Sequence, residues 1–299
     1  MLRDKLGNAR SSKKDEFYTL YKDVKFELDH YIDQFKDKVI YCPCDTDESA
    51  FVKYFLELKA KGLIKELLYT SLQDGVDFIS DIAIDNYKRS DIVITNPPFS
   101  LFRQFLSLLD SLNKKFIIWG NTNALTYKLV MNLLVHNKIL LGHIAHKTCE
   151  FVVPEDYASD PDSKAYKKDN NICYIKVPAI STFTNLNVNR TSTLTLTKHF
   201  DDSYIKYDNF DAINCSKTTD IPIDYNEYIG VPVTYLTKHD PTKFDIIGLF
   251  NHYDRLDFEN GIITGTEVKL DKPPWRTRGP CINSRALYAR LIIKKKINN

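Results

Sequence analysis

One short segment of this chain combines residue types and a spacing that could do chemistry. Residues 90–100 read SDIVITNPPFS, an apolar run that ends on Asn96 and continues into Pro97, Pro98 and Phe99. Proline fixes φ and excludes the helical region for the residue before it, so this turn is unusually stiff. The Asn96 amide oxygen and the Pro97 carbonyl, held at a fixed separation, can both accept hydrogen bonds from one –NH2 group. The Phe99 ring can stack on the planar system that carries the amine.

This arrangement would hold an exocyclic amino nitrogen with its lone pair directed at an electrophile. Methyl transfer from a sulfonium is such a reaction, in which alignment and electrostatic preorganisation supply most of the catalysis. The amino group loses its proton after methylation, so no strong general base is required, and no obvious catalytic His or Glu accompanies the segment. The alternative is a strand-ending turn without a catalytic role; a strand before it and a capped helix after it favour the functional interpretation.

The loop after the first buried strand, CPCDTDES, is acidic and has no glycine. Neither G-x-G-x-x-G nor G-x-x-x-x-G-K-[ST] occurs in the chain, which argues against dinucleotide and P-loop sites. The loop would repel pyrophosphate but tolerate a zwitterion with a cationic sulfur, such as S-adenosylmethionine. Asp45 could receive the methionine ammonium or, like Asp47 and Ser49, cap the next helix; for Asp47 we favour capping. Asp81 could reach the cofactor's adenine or be a surface acid.

The elements around these residues alternate between strands and helices. Strands are predicted at 38–44, 63–69, 91–95, 115–119 and 138–142, and helices at 20–35, from Phe51 to a cap at Gly62, from a cap at Ser100 to Leu112, and around 125–134. The strands are almost wholly apolar, which predicts an α/β fold with a mainly parallel sheet covered on both faces. Ligands of such sheets lie beyond the carboxyl ends of the strands, where Asp45 and Asn96 stand.

The texture of the sequence changes after about residue 180. The later part is rich in Thr, Asn, Asp, Pro and aromatic residues, with short strand-like runs. We therefore predict two domains, 1–180 and 181–299, with a soft boundary and a terminal strand that could pack back on the core. The second would be a region of mixed β and loop character.

Basic residues are concentrated at the end of the chain. Residues 272–299 contain no acidic residue and eight basic ones, namely Lys272, Arg276, Arg278, Arg285, Arg290, Lys294, Lys295 and Lys296. Such a patch suits phosphate contacts that release counterions, and a solvated basic strand is the alternative.

The six cysteines give weak evidence for a metal site, because only Cys42 and Cys44 are close in sequence and no matching downstream ligands follow. Packing in a buried strand explains them better, so no metal is predicted. The start of the sequence has no apolar signal core, and no stretch approaches the length needed to cross a bilayer. We expect a cytoplasmic protein with free thiols.

The motifs together resemble the EcoRI-type adenine-specific DNA methyltransferases. The resemblance covers nearly the whole chain and is carried by DEFYT (15–19), VIYCPCD, SDIVITNPPFSLFRQF, YDNFDAINCSKTTDIPIDY, GVPVTYL and the terminal LYARLIIKKK. It implies a Rossmann-like S-adenosylmethionine-dependent methyltransferase sheet with a C-terminal recognition region. The sequence departs from most methyltransferases in lacking a glycine-rich loop, as this family does, and Thr46-Asp47 stands where relatives can have Asp-Pro.

The resemblance also implies roles for individual residues. The turn from Asn96 to Phe99 would hold the amino group and stack on the base. The cofactor pocket would be formed by Glu16, Phe17, Tyr18, Thr19, Asp45 and Asp81, with Asp74 and Asp77 only nearby candidates for the acid that holds the ribose. DNA would be bound by Arg276, Arg278, Arg285, Lys294, Lys295 and Lys296.

The expected activity is transfer of a methyl group from S-adenosylmethionine to N6 of an adenine flipped out of duplex DNA. Such an enzyme would protect DNA in a restriction–modification setting, with a cognate endonuclease acting on the same site. Two alternatives stay open. The same turn could hold adenine in RNA or a glutamine amide in a protein, or the chain could be a non-catalytic DNA-binding relative.

Overall fold

The computed structural model of the protein describes residues 17–71, 75–154, 166–190, 194–253 and 255–296. The chain forms two compact units, and each unit is assembled from two separate segments. The first unit consists of residues 1–122 and 141–189, and the second of residues 123–140 and 190–299.

A nine-stranded sheet is the frame of the first unit. Its strands are β1 (Tyr18–Thr19), β2 (Val39–Pro43), β3 (Glu66–Thr70), β4 (Ile92–Thr95), β5 (Lys115–Asn121), β6 (Leu140–Leu141), β7 (Lys147–Val153), β8 (Tyr166–Asp169) and β9 (Ile172–Thr184). Their order is β1-β7-β9-β5-β4-β2-β3, and β6 and β8 also pair with β9.

Four neighbouring strands, β3, β2, β4 and β5, are parallel. Every residue of β2 and β4 is buried, as expected for apolar strands that are covered on both faces. Parallel strands direct their carboxyl ends to one edge of the sheet, so Asp45 and Asn96 follow two adjacent strands at that edge. This half confirms the predicted Rossmann-like α/β fold.

The other half of the sheet is antiparallel, which the prediction of a mainly parallel sheet did not include. The long strand β9 pairs antiparallel with β5, β7 and β8, and β1 pairs antiparallel with β7. Except for β8 and β9, which form a hairpin about Asn170 and Asn171, these pairings join segments that are distant in sequence, so local patterning carries little information about them.

The helices of the first unit are α1 (Tyr21–Leu28), α2 (Ile32–Phe35), α3 (Ala50–Ala60), α4 (Asp81–Arg89) and α5 (Phe102–Ser111). Ser49 caps α3 by accepting a hydrogen bond from the Val52 amide at 3.2 Å. After α3, Gly62 has φ 69°, and the Leu63 amide donates to the Leu58 carbonyl at 3.0 Å. This is the glycine C-cap that the sequence predicts.

The segment after Asn96 differs from the prediction that Ser100 caps a helix. Residues Phe99–Leu101 form a 3-10 turn, and the Leu101 amide donates to the Pro98 carbonyl at 2.9 Å. Helix α5 begins only at Phe102, and no side chain caps it. The two prolines impose an extended backbone, so the chain needs an extra tight turn before it can enter the helix.

A five-stranded sheet and one helix form the framework of the second unit. Its elements are α6 (Lys128–Val135), β10 (Ile213–Asn214), β11 (Ile229–Pro232), β12 (Phe244–Phe250), β13 (Ile262–Ile263), β14 (Val268–Lys269), β15 (Arg276–Thr277), β16 (Cys281–Ile282), β17 (Arg285–Ala286) and β18 (Arg290–Lys295). The sheet order is β10-β11-β18-β12-β13, while β14–β15 and β16–β17 are two separate hairpins.

The division into units differs from the predicted boundary at residue 180. That boundary lies inside β9, which pairs with β5 over residues 180–184 and so keeps the first unit continuous to residue 189. Helix α6 packs against β12, and the Asn132 side chain donates to the Glu259 carbonyl at 3.1 Å, which places residues 123–140 in the second unit. The terminal strand β18 is the central strand of the second sheet and packs within that unit.

Within the described residues, no helix is both long and apolar enough to span a bilayer.

Candidate active site at the carboxyl ends of β2 and β4

The amide of Asn96 is held in one orientation. Its Nδ2 donates to the Phe17 carbonyl at 2.8 Å and lies 3.1 Å from Oγ1 of Thr19. Its Oδ1 is buried and has no hydrogen-bond donor among the described residues. Because the Phe17 carbonyl can only accept, turning the amide over would lose this hydrogen bond and set two oxygens against each other. An unsatisfied buried oxygen of this kind is costly and leaves an acceptor available to a donor from a ligand.

A second acceptor follows on the next residue. Pro97 is buried, and among the described residues nothing donates a hydrogen bond to its carbonyl, whereas the Pro98 carbonyl is occupied by the Leu101 amide. The stiff turn therefore leaves the pair of oxygens that the sequence predicted, Oδ1 of Asn96 and the carbonyl oxygen of Pro97, without a donor.

Three phenylalanine rings pack beside this turn. Phe17 stacks on Phe99 with ring centroids 5.2 Å apart and planes 29° apart. Phe151 of β7 meets Phe99 edge-on, with centroids 6.3 Å apart and an interplanar angle of 87°. Phe99 is only partly buried, so part of the ring is left for a ligand. Sequence analysis missed Phe151, because only the antiparallel pairing of β7 brings it here.

Asp45 lies under the turn, next to Thr95 at the end of β4. Its side chain is buried, its Oδ2 lies 2.8 Å from Oγ1 of Thr95, and its backbone amide donates to the Thr70 carbonyl at 2.9 Å. Burial raises the pKa of Asp45 to about 7, against the opposing effect of its hydrogen bonds to Thr95 and Ser49. Asp45 does not cap α3, because Ser49 holds that position. Sequence analysis missed Thr95, whose only signal was a polar residue at the end of an apolar strand.

The remaining predicted pocket residues differ in their exposure and in their distance from the Asn96 turn. Tyr18 and Thr19 form β1, with Tyr18 exposed, and Glu16 lies outside the described residues. Asp81 is exposed in the first turn of α4, where Ser80 is the cap. Asp77 lies closer to the carboxyl ends of the strands, since its charge helps to raise the pKa of Cys44, after burial and Asp45. Asp74, the other acid considered for the ribose, lies outside the described residues.

The predicted DNA-binding lysines follow or end β18 and have partners within the second unit. Lys294 lies 3.9 Å from Glu227, Lys296 lies 3.1 Å from Asp245, and Lys295 donates to a backbone carbonyl. Their positive charge is therefore partly offset.

The predicted arginines differ in how far their charge is offset by acidic partners. Arg276 pairs with Glu267 at 2.9 Å, and Arg278 is partly buried. Arg285 is exposed and has no acidic partner within 4 Å in the described chain. Of the six predicted residues, Arg285 presents its charge to solvent with least compensation.

Comparison with known proteins identifies the family of this chain. A family model described as "Adenine-specific methyltransferase EcoRI" matches residues 5–74 and 57–296. The type II methyltransferase M.EcoRI of Escherichia coli is 37% identical, over 97% of this chain and 96% of that protein.

Two mycoplasma proteins match over a similar extent. M.MgeORF184P of Mycoplasma genitalium is 34% identical over 97% of this chain and 98% of that protein, and M.MpnI of Mycoplasma pneumoniae is 33% identical over 98% of each. Both are named type II methyltransferases. The chain therefore belongs to the EcoRI-type family of adenine-specific methyltransferases and is a DNA methyltransferase.

Proposed function

We propose that this enzyme transfers a methyl group from S-adenosylmethionine to N6 of an adenine flipped out of duplex DNA. The observation that carries the proposal is the pair of acceptors without donors, Oδ1 of Asn96 and the carbonyl oxygen of Pro97. The adenine amino group has two N–H donors and can give one to each oxygen. No other arrangement of the Asn96 amide keeps its contacts to Phe17 and Thr19.

These two hydrogen bonds would direct the nucleophile. Both acceptors draw the amino protons to one side, which increases the pyramidal character of N6 and turns its lone pair away from the protein oxygens. The Phe99 ring, which packs against Phe17 and Phe151, would support the adenine plane. Catalysis of this kind comes from alignment and preorganised dipoles rather than from a strong base. The proton leaves after the new bond forms.

The residues beside the turn fit S-adenosylmethionine. Asp45 is a buried carboxyl whose pKa is raised to about 7, so a nearby cation would favour its ionised form. It follows β2, the strand adjacent to β4, and its position beside Thr95 brings a carboxylate to the base of the Asn96 turn. Asp45 would bind the ammonium of the cofactor, and Phe17 to Thr19 would close its methionine end. When bound, the cofactor supplies an electrophilic methyl carbon on a sulfonium.

The target adenine cannot reach such a turn while it is stacked in a duplex. Extrusion of the nucleotide costs a few kcal/mol, to be offset by contacts with the flipped base and the surrounding DNA. Methylation of a fixed DNA site would protect it from a cognate endonuclease in a restriction–modification pair, as the naming of the relatives as type II methyltransferases suggests.

Transfer of a radiolabelled methyl group decides among the acceptors. Purified enzyme is incubated with labelled S-adenosylmethionine and with duplex DNA, RNA of the same sequence, or a glutamine-containing protein. Label is expected only in duplex DNA, and digestion to nucleosides should yield N6-methyladenine. Label in cytosine, or transfer to RNA at a comparable rate, would contradict the proposal.

A further inference from the structure

One carboxylate holds the turn of a hairpin in the second unit by hydrogen bonds to its backbone. Asp208 accepts hydrogen bonds from the backbone amides of Asn283 at 3.0 Å and Ser284 at 2.9 Å. These two residues form the turn between β16 and β17 and have φ values of 49° and 56°. Non-glycine residues adopt this conformation at a cost, which the two hydrogen bonds offset. The hairpin is thus preorganised to present its side chains.

A polar cleft of about 420 Å³ adjoins this hairpin. Its polar lining consists of Asn214, Ser216, Asp271, Asn283, Arg285 and Arg290. Two guanidinium groups supply donors only, a carboxylate supplies acceptors only, and the amides supply both. A surface that met only phosphates would need donors alone. The mixed set matches the edges of bases, on which donors and acceptors alternate.

Two contacts fix the side of the cleft formed by Arg290. Its Nε lies 3.3 Å from Oδ1 of Asn214, which also accepts from the Tyr207 hydroxyl at 2.9 Å. Its Nη1 donates to the Tyr288 carbonyl at 3.2 Å, so the backbone that carries Tyr288 is held as well. Arg285 begins β17 of the hairpin and is exposed, with no acidic partner within 4 Å in the described chain.

The ring of Tyr288 is the most exposed large hydrophobic side chain in the described part of the protein, at 92%. It lies between Arg285 and Arg290 in sequence, and its backbone is restrained although its side chain contacts almost nothing. Aromatic rings of this kind are characteristic of binding surfaces, where they gain contact area at a small cost in conformational entropy.

We propose that the β16–β17 hairpin, with Arg285, Tyr288 and the Asn214–Arg290 cleft, reads base pairs of the target site in the major groove. A two-stranded ribbon fits that groove. Apart from Asp271 in the cleft, the surrounding segment to residue 296 contains no acidic residue, so its net charge complements DNA. Arg285 donates to a guanine edge, and Tyr288 packs on a neighbouring base. This inference rests on the proposed action on duplex DNA and names the residues that select the site.

The test first maps N6-methyladenine in the DNA of cells that express the wild-type enzyme, which gives the target sequence. A set of duplexes is then made, each with one base pair of that sequence changed. The kcat/KM of Arg285→Ala is measured on every duplex beside that of wild type. Arg255→Ala removes an exposed arginine of the same unit outside the cleft and is the matched control.

Arg285→Ala should lose about ten- to a hundredfold in kcat/KM on the target duplex and discriminate less by a similar factor at one base pair only. Affinity for S-adenosylhomocysteine should be unchanged, and Arg255→Ala should behave like wild type. An equal loss on every duplex would mean a phosphate contact and would overturn the assignment, as would no loss at all.

Tyr288 is tested with the same duplexes. Tyr288→Ala should raise the KM for DNA at least tenfold, whereas Tyr288→Phe keeps the ring and should stay within about threefold of wild type. Equal KM values for DNA in the two variants would show that the ring of Tyr288 does not contact DNA. A wild-type enzyme that methylates no duplex would refute the proposed function itself, an outcome distinct from the loss of selectivity in a variant.

Discussion

The hydroxyl of Thr95 is shared between the Asp45 carboxyl and the carbonyl oxygen of Pro43. Oγ1 of Thr95 lies 2.6 Å from the Pro43 carbonyl oxygen and 2.8 Å from Oδ2 of Asp45. A hydroxyl has one proton to give, and a carbonyl can only accept. If Thr95 donates to Pro43, the Asp45 contact is satisfied when the carboxyl is protonated and donates to Thr95. The raised pKa of Asp45, about 7 through burial, agrees with this arrangement.

Asp45 should make the stability of the protein fall as the pH rises. The folded-state pKa is about 7 against an ordinary value of 3.8, so the folded protein binds the proton more tightly than the unfolded chain. The contribution to stability is fully present below pH 4 and is lost as the pH rises through 7, with an upper limit of roughly 4 kcal/mol.

Asp45→Asn mimics the protonated form and should escape this loss. Melting temperatures of the variant and wild type, measured in parallel without ligand, should be similar at pH 4, and the variant should be the more stable at pH 8. Parallel pH profiles for the two proteins would show that Asp45 is already ionised in the fold.

Cofactor binding should release a proton from Asp45. At pH 6.5 most of Asp45 is protonated and the amino group of S-adenosylhomocysteine is already charged, so an ion pair between them expels the carboxyl proton. Calorimetry in buffers of different ionisation enthalpy should show release approaching one proton for wild type and none for Asp45→Asn. Equal release by both proteins would place the ammonium elsewhere.

Asn96→Ala should lower turnover far more than it lowers cofactor affinity. It removes one of the two acceptors aimed at the amino group, a type of loss worth about 10²–10³-fold in kcat. Thr19→Val is the matched control for the amide, because it removes a 3.1 Å contact of Nδ2 and leaves Oδ1 in place, so a loss of kcat below tenfold is expected at saturating cofactor. Rapid-quench rates and calorimetry measure the two quantities, and equal losses in both would count against the role.

Phe99→Ala should weaken binding of the flipped base, whereas Phe99→Tyr should keep most activity. Stacking of a base on an aromatic ring contributes about 1–3 kcal/mol, which corresponds to roughly five- to 150-fold in kcat/KM. Phe151→Leu removes the ring that meets Phe99 edge-on and should have a smaller effect. Similar losses for Phe99→Ala and Phe99→Tyr would indicate that ring stacking is not what the position supplies.

Reversing the charges of Lys294, Lys295 and Lys296 should weaken DNA binding and flatten its dependence on salt. Each phosphate contact contributes about 0.9 to the slope of log K against log salt concentration. The acidic partners Glu227 and Asp245 reduce the effect for two of the three lysines. The control for net charge reverses Lys59, Lys61 and Lys65 of the first unit together. An unchanged salt slope in the β18 variant would show that Lys294, Lys295 and Lys296 do not contact DNA.

The parallel half of the first sheet could be predicted because its signals are local. Continuous apolar runs predicted β2, β4 and β5, and Gly62 predicted the end of α3. The antiparallel strands and α4 were not predicted. Strand β8 is polar and rich in lysine, so its sequence has no alternating apolar residues. Helix α4 has only two buried residues, Ala83 and Tyr87. Helix α4 therefore depends on packing against the sheet, and β8 depends on its hairpin with β9.

The residues of the candidate site also divide into those with a local sequence signal and those that tertiary pairing places there. Asn96 and the prolines could be identified because a rare turn chemistry stands at a strand end. The position of Phe17 against Phe99 arises from the pairing of β1 with β7, which no local pattern encodes. Whether Asp45 would cap a helix or lie buried under Thr95 depended on a neighbouring strand, and Ser49 took the capping position instead.

The interrupted course of the second unit limits how this fold can be recombined between relatives. Helix α6 is encoded inside the catalytic half of the gene, yet its apolar residues, such as Met131 and Leu134, belong to the fold of the other half. A single crossover near residue 180 would pair α6 from one parent with the β12 layer of another. A stable chimera of two relatives should therefore require exchange of both segments together rather than one-step shuffling.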